Sequence, residues 1–598
     1  MEDQEQTHSN SESTPVVPAK TAEKKRDSFL RRLLRFSGRL ILFFLSLLLA
    51  LMLVLHIPVV QNWAAKKASA YLSEEFQTTV SLDYIRIGIF DSFILDEFYI
   101  EDLRGDTLLY SKSLQVDLKR GLFGLLFKKL YISEIGLENA LVDLERPMGS
   151  KDMNYQFILD YFSRNQPVEI EDTIYLEPKN PIDLDISSLR LKNVDFIRKD
   201  SARGQDIIAY IGSGLCNFRN INLATKEINI THFTLTKPEV YINQYLGDTL
   251  IYNELFVNPP PLLGPVYIKT DTTQLTARIA RFRMIDGKFG FHNYFRAPER
   301  WTPPDILDYN HMDLFQINMD MRNLRVQGLN FKGKIASMNF KDSTGFVCEN
   351  ISVEDGLVTD TMVVLNDLQI VTPTSNIGDT LIMEYSEYAD FKDYVNQVYM
   401  IGQFHDARIS VEDIMVFAPV LEDNAFFRKN RDEVVSIDGI IRGTVNSLSG
   451  RDLEVRLNDD TYLAGGFGSF GLAMPGFVAI NLQLDKMSTS VQTLRDLIPN
   501  FNPPEIFNKL GRLDFRGRVD GFFSDLVIKG KLATELGNII LDDVILNITG
   551  SRETFGYRGG LSLIGFELDR WTDNADLGTI TVSSRVIDGQ GVTGASAN

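Results

Sequence analysis

Three glycines in GGFGSFGL, Gly466, Gly468 and Gly471, carry the GxGxxG spacing that lets a backbone approach a pyrophosphate. That chemistry needs a strand before the loop, a helix after it, and an acidic residue about twenty positions on. Here Ala473-Met474-Pro475-Gly476 follows in a strand-rich context, so the spacing reads as a hairpin or bulge. His232, His292, His311 and His405 are scattered, with no i, i+4 pair to hold a metal. Asp459-Asp460 and Asp542-Asp543 could flank a cation, yet paired acids beside turns read more simply as solvated. Cys216 and Cys348 read as buried strand thiols, with a disulfide between them left open. Walker A, GxSxG and HExxH motifs do not occur. These residues point to no catalytic centre, no metal site and no cofactor, and the chain reads as a non-enzyme.

The elements that could position a different function begin with the charge. Across 598 residues the net charge is −19, which argues against a nucleic-acid partner because phosphates need a basic surface. Residues 1–39 are polar, low in complexity and locally basic, and read as a disordered cytoplasmic tail. Residues 40–60, LILFFLSLLLALMLVLHIPVV, carry no charge and at 1.5 Å each cover about 31 Å, enough for a transmembrane signal-anchor. Leu40, Phe43, Phe44, Leu48, Leu55 and Val60 are its apolar residues, and Trp63 stands at an interfacial position. The basic side stays in the cytoplasm, which sends residues from about 61 onward across the membrane and makes this a single-pass, membrane-tethered exported protein. Residues 61–77 read as an amphipathic helix continuing the anchor.

From residue 78 to 598 the apolar period falls to two. Leu184, Ile186, Leu189 and Leu191 alternate with Asp183, Asp185, Arg190 and Lys192. Leu513, Phe515 and Val519 oppose Asp514, Arg516, Arg518 and Asp520; Ile580 and Val582 oppose Thr579 and Thr581. One face is apolar and the other wet, as in a one-sided, mainly antiparallel sheet. The phrases LRGD, LKNVD, MIDGK, VEDG, NIGD, SLSG and LGN read as turns, implying about 40 short strands stacked over roughly 190 Å. Short helices are expected at 155–162, 411–418 and 491–498. The last two, VEDIMVFAP and TLRDLIPNFNP, each precede a Gly-rich strand pair as a degenerate repeat. The fold class is therefore mainly β: a helical anchor, then a long rolled, open sheet with an apolar groove, or else sandwiches whose faces cover each other. In the groove reading Leu184, Ile186, Leu513, Phe515, Val519, Ile580 and Val582 line the path.

Longer phrases carry a resemblance. IPVVQNWAAKKASAYLSEEFQTTVSLDYIRIGIFDSFILDEFYIEDLRGDTLLYSKSLQVDL, followed by LYISEIGLENALVDLER, resembles the opening of the Bacteroidota-type TamB proteins of the AsmA-like family. ILDYNHMDLFQINMDMRNL, VSIDGIIRGTVNSLSGRDLEVRLNDDTYLAGGFGSFGL and GRLDFRGRVDGFFSDLVIKGKLATELGNIILD are similar in the same order. The resemblance implies the inner-membrane subunit of a translocation and assembly module: a taco-like β-groove with an apolar interior, bridging the inner and outer membranes. It implies phospholipid transport, with acyl chains as ligand and an Omp85-type outer-membrane barrel as partner. TamB proteins end in a further domain that meets that partner, whereas this chain closes on SSRVIDGQGVTGASAN, and that domain is expected to be missing.

Two functions follow as expectations. The first is a lipid conduit serving outer-membrane biogenesis, in which apolar burial supplies the driving force. The second is an assembly factor whose strand edges pair with outer-membrane β-barrel proteins or autotransporters.

Overall fold

The computed structural model describes residues 26–88, 92–119, 131–164, 185–222, 226–257, 275–295, 308–457, 460–474, 476–499, 501–522, 524–547 and 555–591. The sequence expectations for most of the N-terminal tail and for Asp183 and Leu184 lie outside these residues, as do those for the side chains of Leu48 and Leu55.

Helix α1 (Arg26–Leu55) begins well before the expected anchor and stops inside it. α2 (Pro58–Phe76) starts after a break at His56 and Ile57, with Pro58 placed where a missing N–H costs nothing. The expected single span over 40–60 is thus two helices, and residues 61–77 belong to the second of them. The apolar stretch from Leu40 to Leu55 measures about 24 Å. Among the described residues no helix is long and apolar enough to cross a membrane. Leu40, Phe43, Phe44 and Trp63 are exposed and Val60 is half-buried.

The rest is mainly β. The strands are β1 (Val80–Ser81), β2 (Tyr84–Ile87), β3 (Ser92–Glu101), β4 (Thr107–Leu118), β5 (Tyr131–Arg146), β6 (Asp185–Asp200), β7 (Gln205–Asn222) and β8 (Glu227–Gln244). They continue as β9 (Thr276–Asn293), β10 (His311–Gln327), β11 (Asn330–Asp342), β12 (Val347–Val358), β13 (Met362–Val371), β14 (Asn376–Glu384), β15 (Tyr399–Ser410) and β16 (Val434–Thr444). The last are β17 (Ser447–Leu457), β18 (Thr461–Phe470), β19 (Ala479–Ser490), β20 (Arg512–Phe522), β21 (Asp525–Thr534), β22 (Gly537–Asn547), β23 (Gly556–Glu567) and β24 (Thr579–Gln590). All 24 form one long open sheet in which chain neighbours are sheet neighbours, apart from β1 and β2, which both pair with β3. At about 4.8 Å per strand it runs for roughly 110 Å.

Pairing is antiparallel except at β5–β6 and β8–β9. A parallel pair needs a long return connection. The first return carries α3 (Gln156–Arg164); the second carries α4 (Thr249–Tyr252) and a π-helical turn over Asn253–Val257. With those two exceptions the chain is a meander, so its turns fall alternately on two long rims. β3 ends, β4 begins and β15 ends on the first rim; β15 begins and β16 ends on the second.

The expected count of about 40 strands was too high for a physical reason. LKNVD, MIDGK, VEDG and NIGD are not turns but lie inside β6, β9, β12 and β14. Asn193, Asp286 and Asp379 sit there with φ of 51°, 53° and 106°. Asn and Asp tolerate that left-handed backbone as single residues, which suits them to a bulge as well as to a turn. Bulges let strands run to 18 residues in β7, β8 and β9.

Candidate functional site

Several of the residues first suspected of chemistry are engaged in structure, while Asp459 lies outside the described residues. Gly466 and Gly468 lie within β18 opposite Gln483 and Asn481, and Gly471 closes the strand at φ 78°. No helix follows there. Asp542 and Asp543 both pair with Lys529, at 3.1 and 3.3 Å. His292 Nε2 lies 3.1 Å from Asp313 Oδ1 across the β9–β10 pair. Among the described residues no three His, Cys, Asp or Glu side chains gather as a metal group. Cys216 and Cys348 are free and buried, and burial pushes both thiols up to about 11.

The feature that stands out is the register. Directly paired residues share a sheet face, so a row can be followed from strand to strand. Ile85 pairs with Leu95, then Leu114, Leu137 and Leu191 follow across β4, β5 and β6. Gly214, Leu235, Met284, Met319 and Met338 continue the row across β7 to β11. Ile351, Ile370 and Ile377 carry it to β14. Beyond a register shift it resumes at Ala407, then Ile437, Val455, Leu463 and Met487. Phe515, Leu532, Ile539, Leu563 and Val582 complete it at β24. Every strand from β2 to β24 contributes one residue, and none is polar.

A second row runs alongside from Phe93 through Val116, Ile135, Leu189, Cys216, Phe233 and Phe282 to Met321. The opposite face is wet and ionic: Lys192 meets Glu138 at 2.6 Å, Lys288 meets Glu239 at 2.9 Å and Arg281 meets Asp320 at 2.5 Å.

Most row residues are half-buried, since all the described strands belong to one sheet and no second sheet lies on them. The sandwich alternative is therefore not what the chain adopts. Cover comes instead from short helices. α2 and α3 bring Leu72, Phe76, Phe157 and Ile158 against Val80, Ile100 and Leu108 at the first rim. α8 (Val491–Leu497), a 3-10 turn over Glu505–Leu510 and α9 (Leu568–Thr572) gather Val491, Leu494, Phe507 and Trp571 over Leu513, Leu532, Ile539, Leu563 and Ile580.

Of the expected groove residues, Phe515 and Val582 are in the central row and Ile186 pairs with Ile132 in a flanking one. Val519 lies on the same face, between Leu482 and Ile528. Leu513 and Ile580 belong to the packed cluster beneath α8 and α9 rather than to open sheet. The row as a whole escaped sequence reading because it exists only once the register is known. Its trace in the sequence is one apolar residue or glycine per strand, in several strands two positions before a residue of positive φ, as at Leu95, Leu137, Leu191, Leu235, Met284 and Ile377.

One segment differs from the other covers. Residues 411–433, carrying α6 (Val411–Phe417), a 3-10 turn over Pro419–Asp423 and α7 (Ala425–Lys429), leave β15 and return to β16 at the first rim. Between those points they reach the second: Met415, Ala418 and Leu421 pack with Val445, Met400 and Leu472 there, and Asn424 Nδ2 donates to the Leu472 carbonyl at 3.3 Å. Tyr309, at the first rim, and Tyr394, at the second, lie with ring centroids 5.8 Å apart. Both hydroxyls donate to the Phe417 carbonyl, at 2.9 and 2.6 Å.

No protein-family model, curated protein or solved structure matches the chain.

Proposed function

We propose that this protein is a membrane-anchored conduit that carries phospholipids along its apolar row, from the bacterial inner membrane across the periplasm toward the outer membrane. The observation that carries the reading is the apolar row from β2 to β24, shifted once between β14 and β15, half-buried and, among the described residues, without a second sheet upon it. A soluble globular protein would cover such a stripe, because each buried CH2 is worth about 0.8 kcal/mol. An acyl chain gains the same free energy there while its headgroup stays in water. A series of similar Leu, Ile and Met positions offers shallow, repeated sites rather than one trap, which suits transport over storage.

A rolled, taco-like sheet is part of the proposal. Two observations support it: the strands bend at αL bulges, and the two rims come into contact through Tyr309 and Tyr394. The membrane anchor is α1. Its apolar half is shorter than the hydrocarbon core, so local thinning of the bilayer and snorkelling of Arg39 would make up the difference. The exposure of Ile41, Leu42 and Phe43 around that helix supports a lipid environment. The resemblance to TamB proteins supports the direction of travel and an Omp85-type partner at the far membrane.

The first test is native mass spectrometry with lipid extraction on the full chain, purified without detergent from a bacterial envelope. Several phospholipids per chain are expected; a lipid-free, monodisperse protein overturns the conduit. Phe515→Arg and Val519→Glu should each lower the number bound, since both place charge on the apolar face, with circular dichroism confirming that the sheet persists.

A second reading, as an assembly factor for outer-membrane β-barrel proteins, is favoured by β24. Among the described residues it pairs with β23 alone, and Val582 and Ile587 are exposed. An edge of this kind can accept a further strand. Proline at an edge position of β24 should abolish that binding and leave lipid content unchanged.

A further inference from the structure

Residues 411–433 lie across the path that the conduit reading requires. Val416 joins Phe346 and Cys348 in a buried cluster against which the row residues Ile351 and Ile370 pack. Ile414 packs against a second cluster that contains the row residues Ala407 and Ile437. Over β12 to β16 the row is therefore occupied by the protein's own side chains, and an acyl chain cannot lie there while α6 does.

The fastenings of this segment are polar and discrete. Asp413, 7% exposed, accepts hydrogen bonds at Oδ2 from Thr372 Oγ1 at 2.6 Å, Thr374 Oγ1 at 3.0 Å and the Ser375 hydroxyl, all in the β13–β14 turn. The Phe417 carbonyl is held by the two tyrosines already described. Beyond them Asn430 Nδ2 donates to the Leu497 carbonyl at 2.9 Å and Lys429 Nζ to the Arg495 carbonyl at 2.8 Å. The related segment under α8 covers its own stretch of row from the first rim alone, through Leu510, Leu536 and Phe566. Only residues 411–433, among these two, are tied to both rims.

We propose that residues 411–433 are a gate in the lipid path, a strap that lies on the row between β12 and β16 and lifts from it when a lipid passes. The proposal rests on the conduit reading, and the hinge points are the two ends, at Ser410 and Val434, where the strap joins the sheet. Lifting exchanges the contacts of Val416 and Ile414 with the row for contacts of an acyl chain, so the apolar burial lost by the strap is returned by the cargo. What is left to overcome is the packing of Met415, Ala418 and Leu421 at the second rim, together with the hydrogen bonds at Asp413, the Phe417 carbonyl, Asn424, Lys429 and Asn430.

The test places a photo-reactive benzoylphenylalanine at Leu235, on the anchor side of the strap, or at Met487, beyond it, in the full chain in bacterial membranes. Phospholipid adducts are read by mass spectrometry. Val416→Cys brings a thiol into the cluster of the native Cys348, and oxidation then ties the strap to the sheet. The expected result is that the oxidised variant keeps the Leu235 adduct and loses the Met487 adduct, and that reductant restores it. Tyr309→Phe with Tyr394→Phe frees the Phe417 carbonyl, and should raise the Met487 adduct relative to the Leu235 adduct. A Met487 adduct unchanged by both locking and loosening overturns the gate and makes the strap a fixed cover. No phospholipid adduct at either position in the unaltered chain overturns the conduit itself.

Discussion

Asp102, at the β3–β4 turn, is 1% exposed and accepts the backbone N–H of Arg104 at 2.8 Å and of Asp106 at 3.0 Å. Asp200 and Asp342, equally buried, are the last residues of β6 and β11, at the corresponding strand ends. Burial pushes the Asp102 carboxyl up, but the N–H groups of Asp106 and Arg104 and the Arg104 guanidinium outweigh it and hold it below the usual aspartate range. A depressed value means that the charged form stabilises the fold above the unfolded value, and that this contribution fades as pH falls through the folded one. Asp102→Ala leaves two turn donors unpaired and should cost about 1–3 kcal/mol. Thermal melts should show that deficit at neutral pH and a smaller gap from the unaltered chain near pH 3. The buried thiols run the other way: with values near 11 they stay neutral, and the stability they lend fades only as pH climbs from about 9 toward 11. A thiol reagent at pH 8 should label Cys216 and Cys348 slowly until the chain is unfolded; rapid labelling of the native protein would contradict their burial.

Among the elements, α6 is the one whose packing is most complete, with Met415 at 1% and Val416 at 4% exposure. Met415→Ala should cost about 2–5 kcal/mol, the usual range for a fully buried methionine. Limited proteolysis should then cut within residues 411–433 before it cuts the strands. The helices at 156–164, 411–417 and 491–497 were legible because each has an apolar face at helical spacing, and prolines 419 and 499 mark where the latter two stop. Strand lengths were not, because an Asn-Val-Asp or Ile-Asp-Gly phrase looks the same whether the chain reverses or merely bulges. Only pairing on both sides, as at Asn193 between β5 and β7, distinguishes the two. The helix boundary inside the expected anchor was not legible for a related reason. Composition runs apolar through residue 60, while Pro58 starts a new helix within that run.

On the scale of the whole molecule, almost every long-range contact joins a strand to the one before or after it, so stability is close to a sum over neighbouring pairs. Such an array should not unfold as a single cooperative unit. Calorimetry is expected to resolve more than one transition, and a destabilising change in β20 should move one of them and leave the rest in place. The one-sided sheet and its wet face were readable from period-two alternation at Leu453, Val455 and Leu457 against Glu454 and Arg456. The continuous row was not readable, since it depends on register shifts such as that between Leu484 and Met487.

The two parallel joints, β5–β6 and β8–β9, divide the sheet into three antiparallel blocks, and they impose a timetable. A hairpin closes a loop of a few residues, whereas each parallel joint must wait for its whole return connection to be delivered. A chain threaded through a membrane from its N-terminus would complete β1 to β5 as soon as those residues emerged. It would then pause twice, at the returns to β6 and β9, before the long run to β24 could add one hairpin at a time. The two pauses are the moments when an unpaired edge of β5 or β8 stands open to the wrong strand. A chaperone that binds extended segments would matter most there.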